Sequence, residues 1–281
     1  MLLITVLSPI KFHLLQILKS LRRLQIKTVF INCSPKKKLS ASAFIIDVCC
    51  TFVGGSKFKE HLRTKADYKR ILDVLKDADT IVFALPLYVD ALPSHLLPFL
   101  KELEQQSKKD DLELNVYALA NNGFIEGRQN EPLMQILENF CLRSGLNWCG
   151  GLGIGGGVMM NVMRILIVVF IAITILNMLF SGMAEGNFLP VDALLNLALQ
   201  ILVFIILGCG IIYQTIRLAI CINNKKQFGN HYTRMMLPSF LFILCADIYF
   251  IVVSLFHGGL FRGWLSKKKP SYKTAYYKRM S

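Results

Sequence analysis

The chain has 281 residues, 54% of them hydrophobic and 18% charged, with a mean hydropathy of +0.48. This excludes a disordered chain and a wholly soluble enzyme, and fits a soluble domain joined to membrane helices. Residues 1–157 carry 20 Lys and Arg against 15 Asp and Glu, and residues 158–281 carry 12 against 3. The formal charge of +14 is therefore mostly a membrane-flank signal and not a nucleic-acid one.

Residues 1–26 read as an N-terminal extension. Leu2–Leu7 has strand length and Phe12–Leu24 is basic and amphipathic, so the segment is either an extra βα unit or a membrane-surface arm. No basic residue precedes the apolar start and no small-residue cleavage site follows it, so a cleaved signal peptide is not expected. Residues 27–157 then alternate strand and helix. Thr28–Cys33 is a β-branched strand, and Ser34–Ser42 a polar loop ahead of the helix Phe44–Phe52. Phe58–Arg63 is a more exposed strand, followed by a helix over 67–78. Thr80–Pro86 is uninterruptedly apolar, as a strand buried on both faces must be. The helix Ser94–Gln106, strand Asn115–Ala120, helix Glu131–Ser144 and strand Trp148–Ile154 complete the series. This rhythm predicts an α/β fold with a doubly wound, five-stranded parallel sheet.

Past Gly157 the character changes. Ile165–Phe180, Ala193–Ile216 and Met235–Leu260 are long apolar blocks, predicted as three helices of an all-α transmembrane region over 158–261, with a basic tail over 262–281. The first interhelical loop carries Glu185 and Asp192 and no base, whereas the second carries Arg217, Lys225, Lys226 and Arg234. The α/β domain is accordingly expected on the cytoplasmic side of the cell membrane. The basic tail favours the same side, which three full crossings would forbid. Pro238, Asp247 and Gly258-Gly259 would suit a third block that re-enters. The eight cysteines form no C-x-x-C pair, so reduced thiols and no metal site are expected.

In a doubly wound sheet ligands bind beyond the carboxyl ends of the strands. Three loops fall there. The first holds Ser34, Lys36, Ser40, Ala41 and Ser42 before a helix N-terminus, an anion site by construction. The second, Pro86, Leu87, Tyr88 and Val89, suits a flat heteroaromatic ring. The third, Asn121, Asn122, Gly123 and Phe124, offers amides beside a glycine free to take positive φ. Capped turns and an aromatic covering the sheet edge would look alike locally.

Cys33-Ser34-Pro35-Lys36 with Ser40-Ala41-Ser42 resembles the phosphate loop of flavodoxin-like NAD(P)H-dependent FMN reductases. Ala78–Tyr88 is similar to that family's third strand and flavin loop, and Leu92-Pro93 with Leu96, Leu97 and Phe99 to its next helix. The resemblance spans roughly residues 27–156. It implies FMN at the carboxyl edge of the sheet, held by the thirteen loop residues just named, with NAD(P)H as co-substrate. Hydride transfer to a flavin is the cofactor's own chemistry, so no catalytic acid or base is expected. Three departures stand out. Cys33 replaces the usual glycine, the cysteine-bearing insertion of iron–sulfur relatives is missing, and the chain enters a membrane helix where soluble relatives add a closing helix. The expected function is a membrane-anchored flavin oxidoreductase, with lipid, a nicotinamide cofactor and a quinone or membrane redox protein as partners. A homodimer stays open, as do a flavodoxin-like module without turnover and a small transporter with a soluble appendage.

Overall fold

The computed structural model describes residues 27–37, 40–185, 191–256 and 258–259. The expected N-terminal extension and basic tail lie outside them. The apolar runs form strands β1 (Lys27–Asn32), β3 (Thr80–Pro86), β4 (Asn115–Asn121) and β5 (Asn147–Ile154), and the charged β2 (Ser56–His61) takes an edge. All are parallel, in the order β2-β1-β3-β4-β5, which is the flavodoxin-type winding. Helices α1 (Ala41–Phe52), α2 (Ala66–Leu75), α3 (Leu96–Asp110) and α4 (Glu131–Ser144) follow the first four strands in turn.

The period-two alternation of a strand sorts the core into two layers. Val29, Ile31, Ile81, Phe83 and Val116 pack with Ile71, Leu75, Phe99, Leu103 and Leu137 of α2, α3 and α4. Phe30, Val82, Ala84, Tyr117 and Leu119 pack with Ile45 and Cys49 of α1. One helix cannot cover that second face, and a parallel sheet needs both faces covered.

The missing cover corrects the sequence reading. Among the described residues the sheet has six strands, not five, and it draws on residues well beyond Gly157. The chain leaves β5 through α5 (Gly157–Glu185) and returns through α6 (Val191–Asn224), two apolar helices joined by a stack of Phe170 on Phe204 with centroids 6.0 Å apart. The expected apolar block ends at Ile216, but α6 continues for two more turns. Leu218, Ala219 and Ile222 are fully buried there and, with Phe228, complete the layer beside α1. The end of α6 thus does the work of a closing helix.

Polar contacts pin that end. Asn223 Oδ1 accepts from Gly54 N–H (2.8 Å), and its Nδ2 donates to Phe52 O (3.0 Å). Lys225 Nζ meets Asp79 Oδ1 at 2.6 Å, and the buried Tyr117 hydroxyl donates to Lys226 O at 2.7 Å. The chain then adds β6 (Gly229–Thr233), parallel to β5. Gly150, at φ 108°, lets the two backbones meet: a Cβ there would lie 2.2 Å from Gly229 O.

The segment from Pro238 onward is a second compact unit, in which α7 (Ser239–Phe256) carries Asp247 on an exposed face. Three helical stretches among the described residues, Met159–Ala184, Val191–Asn224 and Ser239–Phe256, are long and apolar enough to cross a membrane.

Candidate functional site

The three loops meet at the carboxyl edge of the sheet. In the first, Ser34 N–H donates to Asn32 Oδ1 (3.0 Å) and Lys36 N–H to Ser34 Oγ (3.4 Å). Ser40 caps α1, its Oγ accepting from Ala43 N–H at 3.4 Å. The N–H groups of Ala41 and Ser42, in the first turn, have no intrahelical acceptor. Arg63, just past β2, reaches over to donate to Lys36 O (3.1 Å), and its Nε is buried without a partner. Lys36 and Arg63 therefore put two cations beside a helix N-terminus, a combination suited to an anion.

Asn121 ties the loops together. Its Nδ2 donates to Ser42 Oγ (2.9 Å) and to Leu85 O (3.2 Å), while its main-chain carbonyl accepts from Leu87 N–H at 2.8 Å. Asn122 Nδ2 donates to Glu126 O at 3.0 Å, leaving Asn122 Oδ1 buried and unpartnered. The second loop closes as a tight turn in which Tyr88 and Ala91 exchange both backbone hydrogen bonds. Val89 and Asp90 are left-handed at φ 48° and 55°. A β-branched residue in that region costs about 1–3 kcal/mol, a strain that clusters at ligand sites.

One pocket gathers most of the expected residues. Ser34, Lys36, Ala41 and Ser42 line it from the first loop, Pro86, Leu87 and Tyr88 from the second, and Asn121, Asn122 and Gly123 from the third. Three expected residues lie outside it. Ser40 is spent on the helix cap, Val89 is 97% exposed at the turn tip, and Phe124 is 58% exposed. The hydroxyls of Ser34, Ser40 and Ser42 each accept an internal hydrogen bond and keep their O–H groups for donation.

Two lining residues escaped the sequence reading, Gly157 and Asn161, both in the first turns of α5. A Cβ at Gly157 would meet Asn122 O at 2.9 Å, so glycine is needed where the apolar helix abuts the third loop. The Asn161 side-chain Oδ1 is buried and has no hydrogen-bond partner among the described residues. The Gly155-Gly156-Gly157 run was the available signal, but it read as a connector. Positive φ falls on Gly156 (78°), not on Gly123. No metal-ligating cluster occurs among the described residues.

No cysteine lines the pocket, and the buried thiols of the α/β unit are held protonated. Burial pushes Cys33 and Cys49 far above the ordinary 9.0, Cys50 up to about 11 and Cys141 up to about 12. A raised folded-state value stabilises the fold below pH 9, and that stability is lost as pH climbs toward 11–12. The expected result is that iodoacetamide at pH 8 leaves these four unmodified in the folded chain and labels them once urea unfolds it. Mass spectrometry of the peptides reads this, and rapid labelling of folded Cys33 or Cys49 would contradict the burial.

No family model matches the chain, and no curated protein matches it in sequence. Solved structures resemble it in part. The Trp repressor binding protein of Bacillus subtilis is 17% identical, with a TM-score of 0.39 over 46% of this chain and 84% of that one. Azoreductase from Bacillus anthracis str. Sterne is 14% identical, with a TM-score of 0.36 over 47% and 87%. NAD(P)H:quinone oxidoreductase from Methanothermobacter marburgensis is 16% identical, with a TM-score of 0.36 over 50% and 92%. Likenesses this partial carry nothing about activity, which rests on the pocket itself.

Proposed function

We propose that this chain is a membrane-anchored flavoprotein oxidoreductase, with FMN in the carboxyl-edge pocket and NAD(P)H as electron donor. The observation that carries the reading is the chemistry of the pocket's unmet groups. At one end, two helix N–H groups and the cation Lys36 ask for a phosphate, and Arg63, held on Lys36 O just outside the lining, adds a second positive charge. On the pocket's other walls, Asn122 Oδ1 and Asn161 Oδ1 are buried acceptors without donors. Left so, each costs about 1–3 kcal/mol. A phosphate-bearing heterocycle with ring N–H donors answers both demands, so the residues present fit FMN.

Ala41, Ser42, Lys36 and Arg63 would hold the phosphate, Pro86, Leu87 and Tyr88 would flank the ring, and Asn122 and Asn161 would fix its polar edge. When bound, flavin supplies hydride acceptance and onward electron transfer. The protein's share is orientation and exclusion of water, and no side chain is required to move a proton. Asn161 supports the anchored form of the reading, because it lies in the helix whose apolar span runs Met159–Ala184. The site and the bilayer would then be joined without a linker, and an acceptor dissolved in the membrane, such as a quinone, or a membrane redox protein would meet the flavin at high effective concentration. The Lys/Arg asymmetry puts the α/β unit on the cytoplasmic face. Impermeant maleimide on intact cells should label Asn187→Cys and spare Lys65→Cys in a cysteine-free background; the opposite pattern reverses the orientation.

For the activity itself, the full chain in detergent is loaded with FMN and given NADH or NADPH without oxygen. Bleaching of the flavin band by either nucleotide is expected. A flavin that stays oxidised under both would leave a binding module, not an enzyme.

A further inference from the structure

We propose that an apolar cavity between α1, α5 and α6 holds one acyl chain of an anionic membrane phospholipid, with the lipid phosphate on Arg164. The cavity measures about 330 Å³, is separate from the flavin-type pocket, and is walled by Phe44 and Val48 of α1, Ile167 of α5, and Phe204 and Ile211 of α6. At Gly208, which lines it, an added Cβ would find only Ile212 Cδ1, at 3.9 Å.

Of its polar side chains, Thr51 donates to Val48 O at 2.7 Å, and Thr215 and Arg164 are donors in want of an acceptor. Thr215 is 1% exposed and its Oγ1 has no hydrogen-bond partner. A helical threonine ordinarily returns its hydroxyl to the carbonyl four residues back. Thr174 does so, to Phe170 O at 2.9 Å, and Thr215 does not. Arg164, also on the lining, lies 4.8 Å over the Phe44 ring and pairs with no carboxylate among the described residues. No acid lines the cavity. Arg164 is also the one charged side chain in the span Met159–Ala184, and it sits near the start. A guanidinium at that depth reaches the headgroup level, where a phosphate gives it the fork-shaped partner that protein does not supply. An amphiphile with an apolar chain and an anionic oxygen head matches the whole set: chain against the walls, oxygens on Arg164 and Thr215.

The inference rests on α5 and α6 lying in a membrane, and not on FMN. Full-length protein in a non-ionic detergent is titrated with dioleoyl phosphatidylglycerol or dioleoyl phosphatidylcholine, and thermal unfolding is followed by tryptophan fluorescence. Phosphatidylglycerol should raise Tm saturably and phosphatidylcholine should not; glycerol phosphate, a head without a chain, should also have no effect. Arg164→Gln should require about tenfold more phosphatidylglycerol or more, and Arg164→Lys less of an increase. Gly208→Leu, which fills the cavity, should keep the basal Tm and lose the lipid response. Equal responses to both lipids, or a phosphatidylglycerol response intact in both Arg164→Gln and Gly208→Leu, would overturn the site. FMN titration of the same variants should be unaltered, which separates failure here from failure of the flavin reading.

Discussion

A chain ended at Gly157 is expected not to fold, although every strand and helix visible in the sequence of the α/β unit lies before that point. Truncation removes Leu218, Ile222 and Phe228 from the layer beside α1. Burial of each such side chain is worth about 1.5–3 kcal/mol, so together they approach the whole stability of a typical domain, about 5–15 kcal/mol. Truncation also takes away the carbonyl that the Tyr117 hydroxyl uses and the two bonds of Asn223 to the end of α1. The fragment 1–157 should bind a hydrophobic dye and show no cooperative melt, whereas the full chain in detergent should melt cooperatively. In the full chain, Ile222→Ala should cost about 2–5 kcal/mol. A cooperative melt from the fragment would mean that α6 and β6 are decoration.

The second large effect distinguishes a ligand site from a flaw in packing. Asn122→Leu and Asn161→Leu should each weaken FMN binding by about tenfold or more; Asn161→Leu should leave the ligand-free chain as stable as before or more so, whereas Asn122→Leu also gives up the Nδ2 bond to Glu126 O and should lower its stability slightly. Each substitution removes a buried acceptor that nothing satisfies and removes the same group from the complex, and at Asn161 this relieves about 1–3 kcal/mol in the free protein. Asn121→Ala should behave otherwise. Its amide already bridges Ser42 Oγ and Leu85 O, so both stability and binding should fall. Differential scanning fluorimetry and flavin titration on the three variants separate the cases. If Asn161→Leu lowers Tm and both substitutions leave affinity intact, the asparagines are structural.

Much of this architecture was legible because burial on both faces leaves an unmistakable apolar run. Thr80–Pro86 and Glu131–Ser144 coincide with β3 and α4, and the other elements before Gly157 shift by a few residues at their ends. β6 was not legible. Its Gly-Asn-His-Tyr-Thr is polar and opens with glycine, and it pairs through backbone bonds along one edge, which demand little of the side chains. The last turns of α6 were hidden for a related reason. Arg217, Asn223 and Asn224 interrupt the uniform hydropathy that marks a membrane span, while Leu218, Ala219 and Ile222 supply only a short amphipathic stripe. At the site, the loop positions followed from strand polarity and the doubly wound rule, but the roles of individual hydroxyls did not. Ser40 Oγ also serves as the cap of α1 and Ser42 Oγ as an acceptor for Asn121, roles the sequence does not reveal. Asn161 was missed because a polar residue one turn ahead of an apolar block reads as a connector when the helix that aims it cannot be seen.

The flavin site is the claim on which the rest depends, and equilibrium titration tests it most directly. Full-length protein in a non-ionic detergent is added to FMN and quenching of the flavin fluorescence is followed, with riboflavin run in parallel. The pocket described above predicts saturable, one-to-one quenching by FMN and much weaker binding of riboflavin, which lacks the phosphate that Lys36, Arg63 and the start of α1 are arranged to meet. Absence of saturable FMN binding by protein that melts cooperatively, or equal affinity for the two flavins, would contradict it.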